Sequence, residues 1–442
     1  MREWEHTQEH NSMSEYMAKV NKNKKHGKSD RTGNRPAIRT KTGGVTPRAR
    51  RDDRPGRGHS CNPFVIGRRI AGNKIKTSSL RLFEREMLTC TACGFCKSVC
   101  PTFRESGWEA ISPRARVLLS YGLLNDNLPA DESVVEALSK CTTCADCYRR
   151  CPSKVKIVDI IECARKEIYD SGFAPDAYRR IAANIQSTGN PYGVEGTVPD
   201  AIGEIPRPSE VGFFVGCTTA YRSPDTGRIK LSLLQRIHPE TTLVDTICCG
   251  SPLKRTGSGG VLFEKHVKEN IARTRKLGIK KLIISCAGCY KTIKHDYPKS
   301  EMVGIDVVHM IDYLNLNSAK LSFKPLNAVV AYHDPCHLGR GTETYDAPRE
   351  LLKKIPGLNL VELAHNRKES LCCGGGGGLR ATYPDMAQKI AERRVKEAKY
   401  SGAEILVTSC PFCVNNLRKG EETAKTGIKI MDIAELIYNQ VV

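Results

Sequence analysis

Short apolar runs alternate with helical segments over the C-terminal half of the chain. The segments 263–277 and 385–400 repeat apolar residues at helical spacing. Four apolar runs have the length of buried strands, namely 213–215, 282–284, 328–331 and 405–407. This alternation is typical of βαβ units, so we expect two open, mainly parallel sheets flanked by helices from Val211 onward.

The preceding part of the chain, from about Leu80, has helical patterns. Apolar residues recur near helical spacing from residue 82 to 88, and three more segments share this pattern, 113–124, 131–138 and 157–169. A further helix is predicted from Pro175, because Pro-Asp-Ala suits a first helical turn. Residues 193–210 contain Gly, Pro and acidic residues without periodicity, and we place a domain boundary there.

Ten cysteines in the C-terminal half form two copies of one pattern. The first copy is Cys217, Cys248, Cys249, Cys286 and Cys289, and the second is Cys336, Cys372, Cys373, Cys410 and Cys413. The copies lie 119 residues apart at the first cysteine and 124 apart at the adjacent pair and the C-x2-C, and both keep 36 residues between pair and C-x2-C. An internal duplication explains this register. We expect the five thiols of each copy at one edge of its sheet, with the two edges facing each other.

A different cysteine pattern occupies the helical part. The run C-x2-C-x2-C-x3-C-P occurs twice, as Cys90, Cys93, Cys96, Cys100, Pro101 and as Cys141, Cys144, Cys147, Cys151, Pro152. Two such runs are the signature of a ferredoxin with two cubane [4Fe-4S] clusters, in which the fourth cysteine of each run binds the other cluster. One cluster therefore takes Cys90, Cys93, Cys96 and Cys151, and the other takes Cys141, Cys144, Cys147 and Cys100. Two zinc knuckles would explain neither the fourth cysteine nor the proline.

Composition places these cysteines in a reducing compartment. The chain has 442 residues and 20 cysteines. It lacks a signal peptide and any apolar run near 18 residues, so we expect a cytoplasmic metal protein rather than a secreted disulfide scaffold, in an anaerobic setting. Cys163 lies among apolar neighbours and is interpreted as core, and Cys61 has no partner pattern.

The net charge of +21 has two sources. Residues 1–60 contain 15 Lys and Arg against 7 Asp and Glu and almost no core residues, which favours a solvated, disordered extension. This segment could bind nucleic acid or an anionic membrane surface, but it has no recognition motif, and no nucleic-acid role is expected. In the folded part, Lys and Arg would offset the negative charge of thiolate-bound clusters.

The duplicated cysteines carry the candidate chemistry. Four thiolates satisfy zinc or a cubane, whereas five with an adjacent pair can bridge neighbouring iron atoms. The glycines 374–378 would allow close backbone approach and supply amide donors, and a dinucleotide-binding loop fits the preceding Cys-Cys poorly. His333, Asp334, His337 and Arg340 surround Cys336, and Lys254 and Arg255 follow Cys249. His337 could donate a proton to a product thiolate or hold a ligand loop, and the basic residues could attract an anionic substrate or remain solvated.

From Leu80 to the C-terminus, these motifs together resemble the D subunit of the CoB–CoM heterodisulfide reductase of methanogens and its relatives. The resemblance implies that each five-cysteine set holds a non-cubane [4Fe-4S] cluster. It further implies that a disulfide is cleaved between the two clusters, one sulfur going to each, with electrons entering through the two cubanes. All ten duplicated cysteines and His337 are then catalytic candidates, and a small-molecule disulfide is the substrate.

The same architecture is similar to the iron–sulfur subunits of glycolate oxidase, anaerobic glycerol-3-phosphate dehydrogenase and lactate-utilisation complexes, and to a sulfite-reduction membrane-complex subunit. Several of these relay electrons for a flavoprotein, so an electron-transfer subunit is the alternative function. The expected redox partner is a membrane cytochrome b, a ferredoxin or a flavoprotein, and membrane association would come through that partner.

The sequence thus predicts a mixed α+β and α/β fold with four parts. These are a disordered basic extension at 1–75, a helical two-cluster ferredoxin domain at 76–195, and two cysteine-rich repeats at 205–325 and 326–442. The repeats are expected to pack about a pseudo-two-fold axis.

Overall fold

The computed structural model describes residues 75–442, which belong to one compact unit. The predictions for the basic extension and for Cys61 lie outside these residues. Within 75–442, no helix is both long enough and apolar enough to cross a bilayer.

Helices make up the part of the chain that precedes the sheets. The α-helices are Glu84–Leu88, Pro101–Ser106, Pro113–Leu124, Glu132–Ser139, Asp146–Arg150, Ile157–Asp170, Asp176–Thr188 and Val198–Ile202. Short 3-10 helices are Leu80–Phe83, Phe95–Val99 and Glu109–Ile111. The local sequence sets the bounds: Ser112 and Asp131 cap the helices that follow them by accepting backbone N–H groups, and Pro113 begins the helix at its first position.

The first repeat is a four-stranded parallel sheet. Its strands are β1 (Val211–Phe214), β2 (Thr242–Leu243), β3 (Lys281–Ile284) and β4 (Asp306–His309), in the order β2-β1-β3-β4. Its α-helices are Cys217–Arg222, Pro224–Ile237, Ser251–Thr256, Gly260–Lys276, Ala287–His295 and Met310–Leu316, with 3-10 helices Lys299–Glu301 and Ser318–Lys320. The strands β1 and β3 are buried over almost their whole length, which agrees with their continuous apolar sequences.

The second repeat has the same topology. Its strands are β5 (Ala328–His333), β6 (Leu358–Val361), β7 (Ile405–Thr408) and β8 (Lys429–Asp432), all parallel and ordered β6-β5-β7-β8. Its α-helices are Gly339–Thr342, Ala347–Leu352, Leu379–Thr382, Pro384–Tyr400, Pro411–Ala424 and Ile433–Gln440, with the 3-10 helix Arg367–Glu369. The registers correspond, since Phe214 pairs with Ile284 in β3 as His333 pairs with Thr408 in β7.

The predicted mixed fold with parallel sheets is confirmed, and one segment differs from expectation. Residues 193–210 were predicted without regular structure, but they contain the helix Val198–Ile202. Thr197 and Asp200 form a capping box at its start, and Val198 and Ile202 are buried in the core of the first repeat. A five-residue helix shows little periodicity, which explains why the pattern missed it.

Contacts between the repeats are reciprocal, as two-fold symmetry requires. The last helix of the second repeat packs on Pro224–Ile237 of the first, where Lys230 and Asp432 form a buried ion pair at 2.6 Å. The last helix of the first repeat packs in turn on Ala347–Leu352 of the second, where the Asn315 amide donates to the Glu350 carboxylate at 2.6 Å. One apolar core runs through both sheets.

Arg165 joins the helical part to both repeats. This residue lies on the helix Ile157–Asp170 and is only 2% exposed. Its guanidinium donates to five backbone carbonyls at 2.7–3.0 Å: Leu138, Ser139 and Cys141 of the helical part, Arg255 of the first repeat, and Gly377 of the second. A planar guanidinium with five donors is the one side chain that can satisfy all five acceptors.

Replacing Arg165 with Gln leaves most of these buried carbonyls without a donor. We expect Arg165→Gln to lower the free energy of unfolding by about 3 kcal/mol or more, because each unsatisfied buried acceptor carries a desolvation penalty. Thermal unfolding followed by circular dichroism measures the effect. Lys166→Gln is the matched control, since Lys166 makes only a surface pair with Asp170, worth less than about 1 kcal/mol. Equal unfolding midpoints for the two variants would contradict this role of Arg165.

Candidate iron–sulfur centres

Sheet topology brings each set of five cysteines together. Cys217 follows β1 and Cys286 follows β3, which are the two central strands in the order β2-β1-β3-β4. From β1 the chain continues to β2 at one edge of the sheet, and from β3 it continues to β4 at the other edge. The carboxyl edge at such a switch point is where open α/β sheets present ligand groups. Cys336 and Cys410 hold the equivalent positions after β5 and β7.

The thiols of the first repeat form a connected set, which we call the first centre. Hydrogen-bond contacts between the side chains run in the order Cys217, Cys248, Cys249, Cys289, Cys286. These contacts raise the pKa of Cys248 and Cys289 and lower the pKa of Cys249 and Cys286, because a thiolate is stabilised by a neighbouring S–H and disfavoured by a neighbouring thiolate. All five thiols are buried.

The second centre repeats this order of contacts. Its side chains run Cys336, Cys372, Cys373, Cys413, Cys410, with 3.2 Å between the sulfurs of Cys373 and Cys413. Backbone amides also reach the sulfurs, since Gly374 N–H donates to Cys372 at 3.4 Å and Gly375 N–H to Cys373 at 3.5 Å. The predicted amide donors of the glycine run are therefore present.

Asparagine side chains hold the adjacent pairs in place. Asn270 donates to the Cys248 carbonyl at 3.2 Å in the first repeat, and Asn416 donates to the Cys373 carbonyl at 2.6 Å in the second. The sequence analysis missed both residues, because an Asn on a helix carries no spacing signal.

The two centres meet at equivalent residues. Hydrogen bonding to Cys289 and to Cys410 of the other repeat lowers the pKa of Cys286, and the contact with Cys286 raises the pKa of Cys410. Equivalent positions of a duplicated unit touch each other only where the pseudo-two-fold axis passes between them. The cysteine edges of the repeats therefore face each other, as the sequence predicted.

The crossed arrangement of the eight cysteines of the helical part remains a prediction. Cys90 lies close enough to Cys151 and Cys93 for their charges to affect it, and Cys141 is affected in the same way by Cys100. We call Cys90, Cys93, Cys96 and Cys151 the outer ferredoxin site and Cys100, Cys141, Cys144 and Cys147 the inner ferredoxin site. Cys93 is exposed, and Cys90 and Cys151 are half-buried, whereas all four cysteines of the inner site are buried.

Burial disfavours free thiolates at these sites. It raises the pKa of Cys96 to about 11 and that of Cys147 well above the ordinary range of a thiol. No disulfide joins any of the 19 cysteines within 75–442. Grouped, buried thiols become thiolates when a metal replaces their protons, so this donor set fits iron–sulfur clusters.

Arginines lie where such clusters would need positive charge. Arg116 is buried with its guanidinium 3.8 Å from the Cys100 sulfur, and the Arg114 guanidinium donates to the Ala92 carbonyl at 2.8 Å. Arg340 lies among Cys144, Cys336 and Cys372, and one of its terminal nitrogens is buried without a hydrogen-bond partner. Charges at these places account for part of the basic excess of the folded region.

The inner ferredoxin site touches the second centre. The thiols of Cys144 and Cys372 are in contact, and this contact is the main cause that raises the pKa of Cys144 well above its ordinary value. Arg340 supports the junction by donating from Nε to the Cys144 carbonyl at 2.9 Å and from a terminal nitrogen to the Ser370 carbonyl at 2.6 Å.

Gly377 makes this close approach possible. Its φ is +63°, and a Cβ at this position would lie 2.2 Å from the Cys141 carbonyl oxygen. The glycine run therefore carries the second repeat against the backbone of the inner ferredoxin site, a closer approach than any side chain would allow.

The polar residues singled out around Cys336 have separate places. His337 Nε2 lies 3.4 Å from the Thr143 carbonyl, and its Nδ1 lies near Gly288 of the first repeat. Burial lowers the pKa of His337 to about 3, so the imidazole is neutral near pH 7 and its Nε2–H donates to Thr143. This geometry favours the loop-holding role over proton donation, and the catalytic role of His337 remains a prediction.

The other charged residues form ion pairs. The Asp334 carboxylate accepts hydrogen bonds from both terminal nitrogens of Arg349, at 2.8 and 2.9 Å. Arg255 pairs with Glu162 of the helical part and with Asp296, both at 2.7 Å, and Lys254 also pairs with Asp296. Attraction of an anionic substrate and solvated charge were the two roles left open for Lys254 and Arg255; both side chains instead form ion pairs, and Arg255 joins the helical part to the first repeat.

Arg165 is the main residue that the sequence analysis missed. A signal existed, since Arg165 lies four residues after Ile161 and three before Ile168, on the apolar face of its helix. The prediction that Cys163 is a core residue is confirmed, because it is 2% exposed and burial raises its pKa to about 12.

Family models match both kinds of cysteine region. The cysteine-rich domain matches residues 211–294 and again 330–418, and the 4Fe-4S dicluster domain matches residues 86–155. A crystal structure of a hypothetical protein from Helicobacter pylori has a similar fold, with a TM-score of 0.53 at 10% identity over 74% of this chain and 67% of that one.

Curated relatives cover most of the chain. The D subunit of the dihydromethanophenazine:CoB–CoM heterodisulfide reductase of Methanosarcina mazei is 32% identical over 382 residues, 80% of this chain and 93% of that protein. The B subunit of the fumarate reductase (CoM/CoB) of Methanothermobacter marburgensis is 33% identical over 363 residues, 80% of this chain and 72% of that protein. The probable iron–sulfur-binding oxidoreductase FadF of Bacillus subtilis is 29% identical over 359 residues, covering 75% and 50%.

The fold and its cysteine sets define an iron–sulfur oxidoreductase that combines a 4Fe-4S dicluster domain with two cysteine-rich repeats. Relatives at this level of identity and coverage decide the family. The chain belongs to the family of the heterodisulfide reductase D subunits and their iron–sulfur oxidoreductase relatives.

A glycine substitution tests the junction between the inner ferredoxin site and the second centre. We expect Gly377→Ala to lower the free energy of unfolding by about 2 kcal/mol more than Gly402→Ala does, because only the first adds a backbone clash. Gly402 is the matched control: its φ is +80°, so both variants bear a left-handed strain of about 1–2 kcal/mol, but nothing lies within 4 Å of a Cβ there. Thermal unfolding midpoints give the comparison. An equal loss of stability in the two variants would argue against close backbone packing between the inner ferredoxin site and the second centre.

Proposed function

We propose that this chain reduces a small-molecule disulfide, the CoB–CoM heterodisulfide or a similar compound, between its first and second centres. In this proposal each centre holds a non-cubane [4Fe-4S] cluster through its five cysteines. The outer and inner ferredoxin sites hold one cubane cluster each, with the crossed ligand sets given above. The parts of the chain keep the proposed bounds 76–195, 205–325 and 326–442.

The observation that carries the proposal is a continuous series of thiol contacts. It runs from Cys144 of the inner ferredoxin site to Cys372, through the second centre to Cys410, across to Cys286, and through the first centre to Cys217. This series supports an order for electrons of inner site, second centre, first centre. The exposure of Cys93 supports entry through the outer site at the surface.

Iron–sulfur clusters, when bound, supply single electrons and iron atoms that can hold sulfur. The residues of the chain contribute position and environment. Because Cys286 and Cys410 meet at the pseudo-two-fold axis, the two centres lie next to each other, which suits a reaction that separates two sulfur atoms. The Lys291 side chain of the first repeat passes close to Gly341 of the second repeat, and burial lowers the pKa of this lysine.

An electron-transfer role for a flavoprotein partner is the second candidate. It is favoured by the similarity to FadF and to the EtfAB:quinone oxidoreductase of Syntrophomonas wolfei, which is 28% identical over 365 residues. This function needs the same electron entry but no substrate between the centres. The redox partner of either function is proposed to be a membrane cytochrome b, a ferredoxin or a flavoprotein.

Removing one thiol from each centre tests the disulfide reductase proposal. We expect Cys249→Ser and Cys373→Ser each to abolish reoxidation of the pre-reduced protein by the disulfide, while both ferredoxin sites remain reducible. Bound iron should fall from about sixteen to about twelve atoms, because one four-iron cluster is lost. Absorbance during anaerobic mixing follows the reoxidation.

Cys163→Ala is the control for this experiment. Cys163 belongs to none of the four sites and is buried in the apolar core of the helical part, so it should be replaceable with full iron content and full reoxidation. Wild-type protein that holds all its iron but is reoxidised by no disulfide would favour the electron-transfer role. Reoxidation of both cysteine variants at the wild-type rate would show that the chemistry occurs elsewhere.

A further inference from the structure

The second centre contains a buried histidine that its cysteine pattern does not explain. His333 is the last residue of β5, is 0% exposed, and lies three residues before Cys336. One ring nitrogen lies within 4.8 Å of the sulfurs of both Cys373 and Cys413. Two roles are open for such a side chain, a metal ligand and a hydrogen-bond donor.

Arg394 decides which ring nitrogen carries the proton. Its Nε–H donates to Nδ1 of His333 at 3.1 Å. The guanidinium is fixed from its other side by Glu397 at 2.6 Å and by the Ser370 hydroxyl at 3.2 Å. Because arginine stays protonated in proteins and has no acceptor, Nδ1 must be the acceptor. In the neutral ring, the proton therefore lies on Nε2.

The Nε2–H group has no hydrogen-bond partner of good geometry among the described residues, although it is fully buried. Such a donor carries a desolvation penalty unless a bound group accepts from it. The sulfurs of Cys373 and Cys413 both lie within 4.8 Å of a ring nitrogen, and we assign Cys373 as the acceptor because His333 contributes, after Cys372 and Cys413, to lowering the pKa of Cys373.

This proton position excludes the ligand role. A histidine that binds metal offers the lone pair of one nitrogen and donates the N–H of the other to a carboxylate, carbonyl or water. In His333, Nδ1 accepts from Arg394 and Nε2 carries the proton, so neither nitrogen offers a free lone pair to a metal. In the group of His333, Cys373 and Cys413, the two thiols are therefore candidate metal ligands, and the histidine is a hydrogen-bond donor.

The first repeat has no histidine at the equivalent position. Phe214 occupies the position of His333, in the matching register of β1, and Asn270 occupies the position of Arg394.

The first repeat has other buried histidines. His266 has its Nδ1 3.1 Å from the Cys248 carbonyl oxygen. His309 ends the fourth strand of its sheet instead of the first; its Nδ1 accepts the backbone N–H of Ile311 at 3.2 Å, and its Nε2 is buried without a hydrogen-bond partner among the described residues.

We propose that His333, oriented by Arg394, donates its Nε2–H to the Cys373 sulfur of the loaded second centre and raises the reduction potential of that centre. A hydrogen bond to a ligand sulfur withdraws electron density and favours the reduced cluster. The inference rests on the proposed cluster at the second centre. The hydrogen bond from His333 makes the second centre, which contacts Cys144, a better electron acceptor than it would be without this donor.

Variants at position 333 test the proposal through the potential. His333→Phe installs the residue of the first repeat, and we expect one of the cluster midpoints in an EPR-monitored redox titration to shift to lower potential while the others stay. His333→Gln keeps an N–H donor and should restore that midpoint most of the way to its wild-type value. His309→Phe is the comparison in the first repeat: because His309 lies near Cys286 of the first centre, it should leave that midpoint unchanged, and any shift that it causes should fall on a different midpoint.

Several results would overturn the proposal. These are an unchanged midpoint in His333→Phe, an equal shift of the same midpoint in His309→Phe, or a loss in His333→Gln as large as that in His333→Phe. Iron content keeps this failure separate from a failure of the proposed function. About eight irons in wild-type protein would show that the second centre holds no cluster. About sixteen irons with an unchanged midpoint in His333→Phe would rule out only the role of His333.

A measurement on unmodified protein covers the case in which the Phe variant does not bind iron. Electron–nuclear double resonance on protein labelled with ¹⁵N-histidine, in H₂O and in D₂O, should show an exchangeable proton and a weak nitrogen coupling at one centre. A strong nitrogen coupling, as for a nitrogen bound to iron, would make His333 a ligand and overturn the proposal. Absence of both couplings would overturn it as well.

Discussion

The guanidinium of Arg165 is the interaction on which the arrangement of the three parts depends. Its five N–H groups end on carbonyls of the helical part, the first repeat and the second repeat. Two of these carbonyls belong to Cys141 and Gly377, which face each other across the junction between the inner ferredoxin site and the second centre. The same side chain therefore holds the three parts together and fixes the separation of the inner ferredoxin site and the second centre. Tyr178 reinforces it with hydroxyl contacts to the Ser139 and Gly377 carbonyls at 3.2 and 3.3 Å.

Duplication built a symmetric pair of centres, and the helical part makes them unequal. Each repeat gathers five thiols at the switch point of the same sheet, and the centres meet through the equivalent residues Cys286 and Cys410. Only the second centre touches the inner ferredoxin site among the contacts of residues 75–442. The second repeat also has five more residues between its first cysteine and its pair, which lie after β6 and include the 3-10 helix Arg367–Glu369. The end of this segment supplies the Ser370 carbonyl that accepts from Arg340 at the junction.

Much of this molecule could be predicted from its sequence, because cysteine spacing and strand periodicity are local signals. The helix predicted at 113–124 is observed as Pro113–Leu124, and that at 385–400 as Pro384–Tyr400. The register of the duplication also predicted that the cysteine edges would face each other. The remaining features depend on contacts between distant segments. Arg165 lies on the apolar face of its helix, but the sequence does not reveal the partners of Arg165 or Arg394, which lie up to 212 residues away. The tautomer of His333 likewise follows from Arg394, 61 residues later, and has no trace in local sequence.

The central claim is that the duplicated centres hold clusters that act on a substrate sulfur. The most direct test is to reconstitute the protein anaerobically, count its iron, and record EPR spectra after oxidation, with and without coenzyme M thiol. The account predicts about sixteen irons and a paramagnetic signal that appears only when the thiol is present. About eight irons and no thiol-dependent signal, persisting after further reconstitution, would contradict it and leave the chain as an electron carrier with only its ferredoxin sites loaded.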